Sequence, residues 1–281
     1  MYNKRVDFNN MKRFNNIKLL SCDIDGTLVG KSRMITENTV RTIEEVMREG
    51  YLFGVASGRP VADLKEYCSR WNMNGNFDFI IGFNGCELYD KQTNEIQKFN
   101  MLSCQNIKEI IEIMKPFDGN VSMYKPGIYL ASKDTDRAWY SAFRNKRKYV
   151  VSDNMEQFYD EPNCGIMFRV DPEKMSEIEE MVAGLKDKDY IGFKTQPDLM
   201  EFSHKDANKA VALKKYCDNH NISLDECMAF GDTTNDNGML KCCHGVCMIN
   251  GSDDTKDCAE IITDIGVEDE GWVNFVKENL L

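Results

Sequence analysis

The stretch 19–30, "LLSCDIDGTLVG", carries two aspartates, Asp23 and Asp25, to the end of an apolar run and follows them at once with glycine and threonine. Asp, Gly and Thr are common where a strand ends and the chain bends away, so the segment reads first as a strand and its turn. In an extended segment residues i and i+2 point to the same face, so the two carboxylates would crowd together. Something positive belongs between them.

Working outward, "ITENTVRTIEEVMREG" (35–50) offers Thr36 as a helix N-cap, apolar Val40, Ile43, Val46 and Met47 at helical spacing, and Gly50 as a stop. The apolar run "YLFGVASGRP" (51–60) follows, then Pro60 at a good first helical position before "VADLKEYCSRW", then "FDFIIGFNG" (77–85). Strands apolar throughout, alternating with helices, predict a parallel sheet covered on both faces, with right-handed crossovers. In such sheets ligands sit beyond the carboxyl ends of the strands, where Asp23, Asp25, Ser57 and Asn84 all fall.

From 86 to 190 the strands become irregular ("GCELYD", "GIYLAS", "GIMFRV") around two helices, "QNIKEIIEIMKPF" and "PEKMSEIEEMVAGL", which predicts an inserted α+β module. The regular pattern then returns with "ANKAVALKKYCDNHNI" as helix, "CMAFGDTTND" as strand and loop, "NGMLKCC" as a short helix and "GVCMIN" as strand; "SDDTKDCAEIIT" and "EGWVNFVKENLL" read as two closing helices. The expected organisation is therefore a polar N-terminal arm over 1–16, with Met11 as an alternative start, a Rossmann-like core over 17–85 and 191–281, and the module at 86–190.

Composition bounds the partners. A net charge of −11 argues against nucleic acid or an anionic membrane held by general electrostatics, and any anionic substrate needs a local positive site. The eleven cysteines are odd in number and spread along the chain with no Cys-x-x-Cys pair, and His204, His220 and His244 are scattered. Reduced thiols in the cytoplasm, and no zinc site, are expected. No run of about 18 apolar residues predicts a membrane span, and the first sixteen residues lack the apolar stretch of a signal peptide.

Four separated segments would meet at the strand-end rim: "DIDGT" (23–27), "SGR" (57–59), Lys209, and "GDTTND" (231–236). Each alone has an ordinary reading as a turn, a surface ion pair or a solvated lysine. Together and in this order, with "ASGRP", "NG" at 84–85, "KAVAL" and "GDTTNDNGML", the chain resembles the Cof-type branch of the haloacid dehalogenase superfamily of phosphatases. That resemblance implies a parallel-sheet core, a cap inserted between the second and third motifs, and Mg²⁺-dependent hydrolysis of small phosphorylated metabolites.

A carboxylate can attack phosphorus to form an aspartyl phosphate, and Asp23 is the nucleophile that the family pattern implies. Asp25, on the same face, can protonate the leaving oxygen and later accept a proton from water. Two carboxylates and a phosphate dianion call for a hard cation, which suits Mg²⁺. By resemblance, Asp23 gives it a side-chain oxygen, Asp25 its backbone carbonyl and Asp232 a second carboxylate, while Asp236 steadies metal waters or Lys209. The resemblance also sets the Ser57 hydroxyl, the backbone N–H groups of Ile24 and Gly58, the Lys209 charge and the Asn235 amide around the phosphate. Arg59 reads as a substrate contact or a surface ion pair, and Asn84 with Gly85 equally as a turn or a substrate-facing element. Two departures stand out: the family usually has glycine at Ala210, and alanine after the asparagine at 250. The alternatives are a phosphomutase on the same scaffold and a phospholigand-binding protein without turnover, although the latter predicts a broken catalytic set. The absence of membrane helices argues against a P-type ATPase, and the presence of Asp25 against a dehalogenase.

Overall fold

The computed structural model of the protein describes Phe14 and residues 16–281; the rest of the arm expected over 1–16, with the alternative start at Met11, lies outside the described residues. Along the chain run β1 (Leu19–Asp23), α1 (Glu37–Arg48), β2 (Leu52–Ala56), α2 (Val61–Leu64), α3 (Tyr67–Arg70), β3 (Phe79–Gly82), β4 (Glu87–Asp90) and β5 (Glu95–Lys98). Then follow α4 (Cys104–Met114), β6 (Asn120–Lys125), β7 (Ile128–Ala131), α5 (Asp136–Arg144), β8 (Lys148–Val151), β9 (Ile166–Arg169), α6 (Met175–Ala183), β10 (Tyr190–Gln196) and β11 (Leu199–His204). The last part holds α7 (Lys209–His220), β12 (Cys227–Gly231), α8 (Asn237–Cys242), β13 (His244–Cys247), α9 (Asp253–Cys258), β14 (Ile261–Ile262) and α10 (Gly271–Asn279).

The chain divides into two compact units, residues 1–97 with 208–281, and residues 98–207. The first unit's sheet has the order β14-β13-β12-β1-β2-β3-β4-β5. Six strands, β14 through β3 in that order, are mutually parallel, and β4 turns back antiparallel on β3. All five residues of β1 are buried, as a strand with helices on both faces requires. Its core gathers Leu20, Cys22, Ile43, Val46, Phe53, Val55, Phe230 and Trp272, with Trp272 edge-on to Phe53 and Phe230. Thr36 caps α1 as its sequence predicts, accepting from Thr39 N at 3.0 Å.

The inserted unit begins and ends later than the expected 86 and 190. β4 and β5 belong to the core sheet: "ELYD" is buried at all four positions because it pairs with β3. At the other end β10 pairs with β11 and β11 with β9, completing a six-stranded sheet of order β10-β11-β9-β6-β7-β8. On one face of that sheet α4 and α6 bury Ile107, Ile110, Met123, Phe168, Ile178 and Phe202 in a second core. Two local expectations change as well. "VADLKEYCSRW" forms two short helices instead of one, and Ile261–Ile262, expected as helix, extends alongside β13 as a sheet-edge strand. Among the described residues, no helix is long and apolar enough to cross a membrane.

Candidate active site

The core strand order reverses at β1: β2 and β3 lie to one side of it, β12 and β13 to the other. Parallel sheets open a crevice beyond the strand ends at such a point. Register puts Asp23 beside Ala56, and Cys22 beside Phe230, so the carboxyl ends of β1, β2 and β12 finish level. Asp23, Ser57 and Asp232 sit at those three ends, all buried.

Lys209 completes this group from α7. Asn208 caps the helix by accepting from Val211 N at 3.0 Å, which fixes Lys209 as its first residue. The lysine is fully buried. Its Nζ donates at 2.6 Å to Asp23 Oδ1 and at 2.6 Å to Asp236 Oδ1, so the buried ammonium is satisfied by two carboxylates. The other oxygen of Asp236 accepts from the backbone N–H groups of Asp232 at 3.0 Å and Thr233 at 3.1 Å. Asp236 thereby shapes the loop that presents Asp232. The turn at Asn84 and Gly85 seats α7: a Cβ on Gly85 would come within 2.0 Å of Asn208 O, and its φ of +101° suits glycine. At the variant position, the Ala210 methyl faces Gly238 at about van der Waals distance from where a Cβ there would lie.

The balance of charge is negative. Oxygens of Asp23, Asp232 and Asp236 lie within 4.8 Å of one another, with one lysine among them. Burial pushes the Asp23 carboxyl up to about 8 against the pull of Lys209, with Asp236 and Asp232 adding repulsion. Burial, then Asp236, pushes Asp232 up to about 6. For Lys209, burial favours loss of the proton, but Asp23 and Asp236 more than reverse this and raise it. Such carboxylates fit a hard cation: Asp236 is fully engaged, while Asp23 and Asp232 each keep an oxygen for a ligand.

The remaining sequence-predicted residues gather around this centre with partners of their own. The half-exposed Asp25 side chain is ion-paired to Arg59, whose Nη1 also donates to Ser57 Oγ at 3.3 Å. Asn84 N donates to Ser57 O at 3.0 Å, and its side-chain oxygen accepts from Asn235 Nδ2 at 3.1 Å. Asn84 therefore makes the turn, and its side chain ties that turn to the loop after β12. Ile24 and Gly58 follow Asp23 and Ser57 on the loops leaving β1 and β2.

Sequence reasoning missed three supporting residues. Asn250 Nδ2 donates to Gly26 O at 2.8 Å and its oxygen accepts from Val267 N at 2.9 Å, tying the β1 loop to the chain after β14. Thr27 Oγ1 donates to Asp232 Oδ1 at 3.4 Å. Asp254 accepts from Thr234 and Asn237 at 2.9 and 2.8 Å; these bonds and one from Ser252 pull it down to about 2.

The chain is 28% identical over 260 residues to a Streptococcus pyogenes serotype M6 protein provisionally named a phosphatase, covering 88% of this chain and 93% of that one. It is 24% identical to the 5-amino-6-(5-phospho-D-ribitylamino)uracil phosphatase YitU of Bacillus subtilis, over 92% of this chain and 96% of that one. Its fold matches the crystal structure of a haloacid dehalogenase-like hydrolase from Bacteroides thetaiotaomicron with a TM-score of 0.82, at 23% identity, covering 93% of this chain and 98% of that one. The family model for haloacid dehalogenase-like hydrolases matches residues 20–275, a span that takes in the β1 loop, the buried lysine and the acidic loop after β12. With these segments converging at one switch point, the chain belongs to the haloacid dehalogenase-like hydrolases.

Proposed function

We propose that the protein is a Mg²⁺-dependent phosphatase of small phosphorylated metabolites that works through an aspartyl phosphate on Asp23. The observation that carries this reading is the buried Lys209 bridging Asp23 and Asp236 beside Asp232, at the ends of β1 and β12.

Asp23 attacks phosphorus as a carboxylate, held by Lys209 in one rotamer so that no search for the attacking geometry is needed. Lys209, the Ser57 hydroxyl and the backbone N–H groups of Ile24 and Gly58 stabilise charge on the phosphoryl oxygens, which is where much of the barrier lowering in phosphoryl transfer arises. Asp25 protonates the leaving oxygen, then takes a proton from the water that opens the aspartyl phosphate; such help is typically worth about 10²- to 10⁴-fold. Arg59, paired with Asp25 and reaching Ser57, orients both. Asp23, Asp232 and the Asp25 backbone carbonyl would hold the cation, which when bound neutralises the phosphate and offsets the site's negative charge.

The inserted unit acts as the cap that selects the leaving group. Substrates of the kind named for the Bacillus subtilis relative, small molecules with a terminal phosphate monoester, are the class to test. Eleven free thiols suit a reducing compartment such as the cytoplasm.

The test is phosphate release from a panel of phosphorylated sugars and cofactors, with and without Mg²⁺, comparing the wild type with Asp23→Asn. Magnesium-dependent release that disappears in the variant is expected. Release that persists in Asp23→Asn would sink the covalent mechanism.

A further inference from the structure

Within the inserted unit, α5 turns two very different faces. Ala138 and Ala142 are 3% and 1% exposed, packed on Tyr129 and Ala131. Trp139, Tyr140 and Phe143, by contrast, are 51%, 56% and 64% exposed. The Trp139 and Phe143 rings stack, with centroids 5.0 Å apart and planes within 11°. At 3.6 residues per turn, Asp136, Trp139, Tyr140, Phe143 and Arg144 share one arc of about 140°, opposite the two alanines. Single apolar residues on a surface need no explanation; three large rings on one side of a nine-residue helix do.

The charges along this arc point to the occupant. Asp136 stands in the first turn and Arg144 in the last, both exposed, with the rings between them. The order acid, rings, base is its own complement when reversed, which is what a two-fold interface requires. We propose that α5 is a self-association face on which two copies of this chain pair their α5 helices antiparallel about a two-fold axis near Tyr140. Asp136 of each copy then meets Arg144 of the other, and six rings are covered between the two ion pairs. An anionic membrane or a nucleic acid would want positive charge along the whole face; here Arg144, Lys146, Arg147 and Lys148 are gathered at one end of α5 while Asp134 and Asp136 stand at the other, and the chain as a whole carries −11. β8, which α5 packs beside, is the terminal strand of its sheet.

Covering a large aromatic side chain removes about 150–250 Å² from water, so three half-exposed rings give on the order of 300 Å² per copy. Stable interfaces need about 800 Å² per partner. The rings are thus the centre of the contact, flanking residues supply the rest, and the dimer is concentration-dependent rather than obligate.

The experiment is light scattering or sedimentation on the full chain from low to high micromolar concentration. The mass is expected to rise from 32.3 kDa toward twice that value. Trp139→Ser/Phe143→Ser stays at the single-chain mass, with circular dichroism confirming that it folds. Asp136→Lys and Arg144→Asp each weaken dimerisation about tenfold or more by setting like charges opposite one another, and the double exchange D136K/R144D restores it. Recovery in the double exchange is the signature of the antiparallel arrangement and does not depend on removing the rings. A wild type that stays at 32.3 kDa throughout overturns the proposal, as does a dimer indifferent to the ring substitutions or a double exchange that fails to recover. Sedimentation of a monomeric wild type with phosphatidylserine vesicles would overturn it too, reassigning the face to a lipid surface.

Discussion

A Cβ placed on Gly26 would lie 2.1 Å from Asp232 Oδ2, so the Asp232 carboxylate can occupy its place against the β1 loop only because residue 26 carries no side chain. The glycine φ of +90° adds a backbone reason for the same residue. Gly26→Ala should therefore push Asp232 away from Asp23. A strained conformation of this kind costs about 1–3 kcal/mol, but the larger effect falls on the site. We expect Mg²⁺-dependent phosphate release to drop by more than tenfold, with a raised metal requirement. A variant with wild-type metal dependence would show that the close approach is irrelevant to the cation.

Asp236 predicts two graded outcomes. Asp236→Ala leaves the buried Lys209 with one carboxylate and strips two backbone N–H groups of their acceptor. Breaking a buried ion pair from one side costs about 3–5 kcal/mol, and the surviving Asp23 contact places this variant near the lower end. Asp236→Asn does less to the loop. Its amide oxygen can keep the two backbone donors, but its NH₂ then faces the Lys209 ammonium, donor against donor. Urea unfolding should rank the wild type above Asp236→Asn and that above Asp236→Ala, and both variants should be poor enzymes. Equal stability of the two variants would contradict the division of labour between the Asp236 oxygens.

Much of this centre was legible in the chain because strand ends are local signals. An apolar run that stops at Asp23, Ser57 or Asp232 places that residue at a rim, whatever the pairing elsewhere. Sheet membership was less legible, since it depends on long-range pairing that short segments do not encode. "ELYD" carries no mark saying that it joins β3 rather than the inserted sheet, and β10 and β11 none saying that they leave the core. Asn250 shows the same limit at the site. Its value lies in a hydrogen bond to Gly26, 224 residues away, which the departure from the family pattern beside it does not reveal.

That residue gives a third prediction. Asn250→Ala removes the donor to Gly26 O and the acceptor for Val267 N without touching Asp23 or Asp232. The loss in stability should be about 1–2 kcal/mol, the usual scale for net hydrogen bonds. Groups that orient a metal site indirectly typically alter metal affinity or activity by about 10–100-fold, so apparent Mg²⁺ affinity should fall by at least about tenfold. Magnesium titration of thermal stability separates the two effects. Unchanged affinity in a destabilised variant would make Asn250 a structural tie only.

The last prediction concerns pH, and its sign follows from the crowding of carboxylates. Without a cation, Asp23 is raised to about 8 and Asp232 to about 6, against an ordinary value near 3.8. Between those limits the folded chain holds protons that the unfolded chain has released, so metal-free stability from these two groups falls as pH rises from about 4 toward 8. A divalent cation binds the deprotonated oxygens and must displace those protons, so its affinity moves the other way and strengthens over the same range. The rise in melting temperature produced by a fixed Mg²⁺ concentration should therefore be small at pH 5.5 and substantially larger at pH 8. Binding at pH 6.5 should release protons, measurable as a buffer-dependent enthalpy in titration calorimetry. Asp232→Asn should flatten the pH dependence of the Mg²⁺ effect. A magnesium-induced shift that is as large at pH 5.5 as at pH 8 would mean that the cation is held elsewhere, or by groups already ionised in the metal-free protein.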